Sequence, residues 1–83
     1  MNSYKTKGTC ATEILFDIKD NVIESVEFKN GCSGNLQGIS VLVKGMNIDD
    51  AINKLKNIDC RGRGTSCPDQ LANALLQWKE NNN

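Results

Sequence analysis

The sequence predicts an α+β fold: a small antiparallel sheet, made of amino-terminal strands and a hairpin, packed by three helices. Three observations carry this. Ile14, Phe16 and Ile18 alternate with Glu13, Asp17 and Lys19 in the period of a half-buried strand. Asp20-Asn21 follows, a favourable two-residue hairpin turn. From Ser33 onward the apolar spacing changes to three and four, the period of helices that bury one face. Strands followed by helices, with no repeat, linker or low-complexity tract between them, describe a single domain over residues 1–83 with one sheet-and-helix layer pair.

Each element follows from local chemistry. Residues 3–7 are β-prone and stop at Gly8. After the Asp20-Asn21 turn the chain returns as a second strand of less regular pattern, with Val22, Val26 and Phe28 on one face and Ile23, Ser25 and Glu27 on the other. With these two turn residues, paired positions sum to 41, which sets Cys10 opposite Gly31 and one residue from Cys32; a bulge would shift the pairing by one. Leu36, Ile39, Leu42 and Val43 form the inner stripe of a helix that ends at Gly45, a residue suited to a left-handed stop. Asn47 caps a second helix with the stripe Ile48, Ala51, Ile52 and Leu55, and Asp49 and Asp50 lie in its first turn, where the helix dipole favours negative charge. A loop from Asn57 to Thr65 precedes Ser66, Pro68 and Asp69, which spell a helix start. Leu71, Ala74, Leu75 and Trp78 are that helix's buried stripe.

Composition sets the functional limits. In 83 residues, ten Lys plus Arg balance ten Asp plus Glu, and no basic face with interleaved aromatics is present to track a phosphate backbone. Nucleic acid is therefore not expected as a partner. The amino terminus is polar and the apolar runs are short, so neither a signal peptide nor a membrane span is expected, and the chain reads as cytoplasmic. A domain this small buries only about 60% of its unfolded surface, so further fastening by a metal or a second subunit would add to a marginal core.

Four cysteines, Cys10, Cys32, Cys60 and Cys67, stand out against that background. In a reducing cytosol such a count points to metal or thiol chemistry more than to disulfides. The hairpin brings Cys10 and Cys32 to its open end, Cys32 and Cys67 mark helix starts that favour anions, and Cys60 lies in the loop that leads to Cys67. Four thiolates converging there suit a tetrahedral zinc, with sulfur at about 2.3 Å, or an iron-sulfur cluster. The separations of 22, 28 and 7 residues contain no paired knuckle, so the site would be assembled from separate elements rather than from a zinc ribbon. Arg61 and Arg63 in the glycine-rich loop are candidates to hold an anion or stabilise neighbouring thiolates, beside the plainer reading of a solvated loop. No P-loop motif occurs, and the absence of histidine removes imidazole catalysis and mixed Cys/His sites.

Thr65-Ser66-Cys67-Pro68-Asp69, together with Gly8-Thr9-Cys10, Gly31-Cys32-Ser33-Gly34-Asn35 and Cys60 with Arg61 to Gly64, resembles the TSCPD-domain family over nearly the whole chain. The resemblance implies a metal-binding role through the four cysteines. It also implies a link to ribonucleoside-diphosphate reductase, because related domains occur at the carboxyl terminus of some adenosylcobalamin-dependent ribonucleotide reductases. A chain of 83 residues cannot build the barrel such a catalytic subunit needs, so it would act as an accessory part. More distantly, the order of elements is similar to U-type iron-sulfur scaffold proteins, with Cys10, Cys32 and Cys67 where three ligands of that family would fall. Here Thr12 and Ser66 stand where scaffolds carry aspartate and histidine, and Cys60 is additional, which favours stable binding over cluster donation.

Three functional readings follow. The first is a cytoplasmic metal-binding protein with zinc or an iron-sulfur centre on Cys10, Cys32, Cys60 and Cys67. The second is a thiol-redox or accessory protein partnered with ribonucleotide reductase or a thiol-redox protein. The third is a non-enzymatic module that forms a homodimer through an apolar sheet or helix face.

Overall fold

The computed structural model describes residues 2–9, 11–30, 33–58, 62 and 64–81. In chain order they form β1 (Asn2–Lys5), β2 (Glu13–Lys19), β3 (Val22–Lys29), α1 (Ser33–Val43), α2 (Ile48–Leu55) and α3 (Cys67–Asn81), the α+β architecture expected. The strands make one antiparallel sheet in the order β1-β2-β3.

The hairpin turn is the one the sequence predicts. Asp20 and Asn21 sit at φ of 54° and 63°, the left-handed pair that a type I′ turn requires and that short polar side chains tolerate. Beside the turn, Lys19 pairs with Val22 and Ile18 with Ile23, so positions sum to 41; a bulge between Asp17 and Ile18 then gives Asp17↔Ser25 through Glu13↔Lys29, which sum to 42. That bulge corrects the face assigned to Ile23. With a uniform register Ile23 would oppose Val26 and Phe28 across the strand, but the extra residue returns it to their side. It is fully buried there with Ile14 and Phe16. The pairing of Cys10 with Gly31 lies outside the described residues.

The connector between α1 and α2 is fastened to the start of β3. Gly45 ends α1 at φ 86°, and its N–H donates to the Ile23 carbonyl at 2.8 Å. Ile23 N–H donates to the Met46 carbonyl and Ile48 N–H to the Asn21 carbonyl, both at 2.9 Å, and Val22 bridges Asn47. Asn47 then caps α2 by accepting from Asp49 N–H at 2.9 Å. The core lies between the sheet and α2 and α3, where Ile14, Phe16 and Ile23 meet Ile48, Ala51, Ile52, Leu71, Ala74 and Leu75. Trp78, expected within that stripe, is only partly buried at its margin. Lys79 pairs with Asp49 between α3 and α2; both groups are exposed, and such pairs contribute little.

Helix α1 departs from expectation on its outer side. Leu36 and Val43 are buried, but Leu42, assigned to the inner stripe, is 76% exposed and Val41 is 68% exposed. At about 100° per residue, Leu42 lies roughly 120° around the helix from Leu36, beyond the reach of the sheet. Ser40 takes the inner flank instead, its hydroxyl donating to the Leu36 carbonyl at 2.9 Å. Gly34 and Gly38 also face outward, each less favourable to a helix than alanine by about 1 kcal/mol. No helix among the described residues is long and apolar enough to cross a membrane.

The bulged register predicts unequal costs at neighbouring positions. Ile23→Ala should lower the unfolding free energy by about 2–5 kcal/mol, the range for emptying a core site, and Val22→Ala by less than about half of that. Denaturant unfolding of both variants measures the difference, and equal losses would contradict the bulge.

Candidate functional site

Helix α3 begins in a network of buried polar side chains. Ser66 is the cap: its hydroxyl oxygen accepts from Asp69 N–H at 3.1 Å, and its carbonyl accepts the first helical bond from Gln70 N–H at 2.8 Å. Pro68 occupies the first turn, where a missing N–H leaves no bond unmade. Asp69 does more than complement the helix dipole. One carboxylate oxygen accepts from Asn57 N–H and the other from the Thr65 hydroxyl, both at 2.6 Å. Gln70 donates to Thr65 Oγ1 at 2.9 Å and accepts from Lys7 N–H at 3.2 Å. Ser66, Asp69 and Gln70 are all buried, and among the described residues no buried side-chain nitrogen or oxygen lacks a partner.

One consequence is that both ends of the segment 57–65 are tied to a single carboxylate. Asn57 leaves α2 at φ 66°, a conformation asparagine adopts readily after a helix end, and this turns its N–H onto Asp69. A second consequence is that β1's continuation is drawn to the same place. Gly8 has φ 72°, and a Cβ there would stand 3.3 Å from Thr65 Cγ2, so glycine is favoured both by conformation and by close approach.

Of the expected site residues, Cys67 is the first residue of α3, a free and partly exposed thiol. Cys10, Cys32, Cys60, Arg61 and Arg63 lie outside the described residues. Among those described, no group of three or more Cys, Asp or Glu is placed to hold a metal ion. The residues that flank the cysteines in sequence are, however, joined to one another. Asn30, two residues before Cys32, donates from its amide to Thr12 Oγ1, two residues after Cys10, at 2.8 Å. Thr12 N–H continues the strand pairing to the Lys29 carbonyl at 2.9 Å. Ala11, beside Cys10, is buried, and its carbonyl accepts from the hydroxyls of Thr6 and Thr9. Lys7 and Gly8 reach Gln70 and Thr65, and Asn57, three residues before Cys60, reaches Asp69.

The interlocked roles of Asn57, Thr65, Asp69 and Gln70 escape a sequence reading. The Ser66-x-x-Asp69 spacing does signal a helix cap, but nothing in pattern or propensity shows that the carboxylate turns away from the cap to accept from Asn57 and Thr65. Asp69→Ala should therefore cost about 2–4 kcal/mol, because it removes the charged acceptor of two part-buried hydrogen bonds, whereas loss of a dipole interaction alone would cost at most about 1 kcal/mol. Thermal and denaturant unfolding distinguish these values, and a loss near the lower figure would refute the two-ended tie.

A family model described as the TSCPD domain matches residues 2–79, from the first strand to the last turns of α3. No curated protein and no solved structure matches the chain. The match spans the hairpin, the connector and the capped helix together, and the chain belongs to the TSCPD domain family.

Proposed function

We propose that this TSCPD-domain protein is a metal-binding protein in which Cys10, Cys32, Cys60 and Cys67 supply thiolates to one zinc ion or iron-sulfur centre. The observation that carries the reading is the set of ties among the cysteines' neighbours: Thr12 with Asn30, Gly8 with Thr65, Lys7 with Gln70 and Asn57 with Asp69. Pinning of the flanks in this way supports a reading in which the four cysteines converge on one site. The donor set fits as well. Asp69, the carboxylate nearest to Cys67 in sequence, has both oxygens engaged in protein hydrogen bonds, which favours sulfur over this carboxylate as a ligand. A helix amino terminus favours negative charge, the charge that a metal-ligating sulfur carries. Once bound, the metal would supply a cross-link between segments distant in sequence, and its binding energy would add to folding. A reducing compartment such as the cytoplasm keeps four thiols available for this.

A partly exposed Cys67 at a helix start also favours a second reading, a thiol-redox or accessory role beside ribonucleoside-diphosphate reductase. Arg61 and Arg63 would then serve as anion contacts next to the reactive sulfur. Elemental analysis and an absorption spectrum of protein purified without oxygen separate the two. Stoichiometric metal supports the first reading, with iron and sulfide giving visible bands and zinc none. Each Cys→Ser change should then release metal and remove the stabilisation it provides, about 2.7 kcal/mol where metal stands at about 100 times its dissociation constant. Full metal content and stability in three of the four variants would overturn the four-cysteine site. Metal-free protein with a dithiol couple that thioredoxin reduces would establish the second reading.

A further inference from the structure

Among the asparagines of the chain, Asn30 alone is followed by glycine. It comes directly after β3, exposed to solvent and in the left-handed conformation at φ 63°. Gly31 lies outside the described residues and enters through its identity only. An asparagine carboxamide is open to attack at its carbon by the backbone nitrogen of the next residue, which closes a cyclic imide; this chemistry makes asparagine a thermolabile residue. Crowding by the next side chain normally hinders it, and glycine has no Cβ to do so. Two other asparagines show the contrast. Asn21 and Asn57 share the conformation, at φ 63° and 66°, but Val22 and Ile58 follow them, and a β-branched side chain crowds the nitrogen. Asn53 and Asn73 lie within α2 and α3, where the next N–H is held in a helical hydrogen bond. The Asn30 amide, in turn, is free to leave: Nδ2 donates to Thr12 Oγ1 at 2.8 Å, a neutral bond between two exposed side chains, so its departure strands no buried group.

We propose that Asn30 is a site of spontaneous covalent modification, at which the side-chain amide is lost and the chain acquires aspartate or isoaspartate. The Gly31 nitrogen forms a bond to Asn30 Cγ, the Cγ–Nδ2 bond breaks, and ammonia leaves with the proton from the Gly31 N–H. Water then opens the imide. Cleavage between the nitrogen and Cγ gives aspartate; cleavage between the nitrogen and the main-chain carbonyl carbon of Asn30 gives isoaspartate, in which the chain runs through Cγ. Neither step changes an oxidation state, and water is the sole co-reactant. The product places a negative charge two residues before Cys32 and has lost the donor to Thr12. In the isoaspartate form the path from β3 to α1 is also longer by a methylene carbon. The inference stands whether or not the cysteines hold a metal.

Peptide mapping by mass spectrometry tests this on the full chain, incubated folded at neutral and at mildly alkaline pH, with a parallel sample in denaturant. The expected result in the folded protein is the mass gain of an amide nitrogen exchanged for oxygen, located at Asn30, with Asn21 and Asn57 unchanged. The product should be a mixture of aspartate and isoaspartate, formed faster at the higher pH because the attacking nitrogen must give up its proton. Gly31→Ala should slow the reaction several-fold by restoring a Cβ beside that nitrogen, and Asn30→Gln should abolish it at this position. The same rate comparison holds in denaturant if Gly31→Ala does not fold. Folded wild-type protein that stays unmodified at Asn30, even where the denatured chain reacts, would overturn the proposal, as would earlier modification at another asparagine. Aspartate formed without isoaspartate, or an unchanged rate in Gly31→Ala, would overturn the imide route.

Discussion

A carboxylate taken out of water must find hydrogen-bond donors, and Asp69 finds them at both ends of the segment 57–65. Its two oxygens hold Asn57 N–H and the Thr65 hydroxyl, so the exit of α2 and the entry of α3 cannot move apart without leaving a buried charge unpaired. Gln70 extends the restraint to Lys7, and the approach of Gly8 to Thr65 completes it. One end of a small domain is thereby organised by a few polar side chains rather than by apolar bulk, which is in short supply in a chain of 83 residues.

The other end depends on the β-hairpin. Its left-handed turn fixes where the strands begin to pair, and the bulge at Asp17/Ile18 decides which residues face the helices. Ile23 holds both features together: its side chain is fully buried, and its N–H and carbonyl bond the connector between α1 and α2. A polar network and an apolar strand therefore do complementary work. The strand fixes the sheet against the helices, and the network fixes the loops at the sheet's open end.

How much of this was legible in the sequence depended on the range of the interaction. The turn at Asp20-Asn21, the stop at Gly45, and the caps at Asn47 and Ser66 are decided within a few residues, and their side chains announce them. The inner stripe of α2 was legible for the same reason, because apolar and polar positions separate cleanly along it. The bulge was not, since an inserted residue shows only as an irregular pattern until the partner strand is known. Leu42 failed differently: periodicity states which residues share a face of α1, but an apolar residue off the centre of that face is inward or outward according to how much of the helix the sheet covers. Of the candidate site, the position of Cys67 was legible, for it opens α3 as the helix-start signals around it lead one to expect. Its supporting carboxylate was not, because a contact between residues 57 and 69 leaves no periodic mark.

The family motif takes on a physical meaning once its members are considered one by one. Thr65 donates to Asp69 and accepts from Gln70, Ser66 caps the helix, Pro68 suits its first turn, and Asp69 ties the segment before it. Each of these four is accounted for by hydrogen bonding or by backbone geometry, and each works within three residues of Cys67. Cys67, among them, is a partly exposed thiol at the first position of the capped helix. The four residues around it thereby fix where the helix starts and where its first side chain is held.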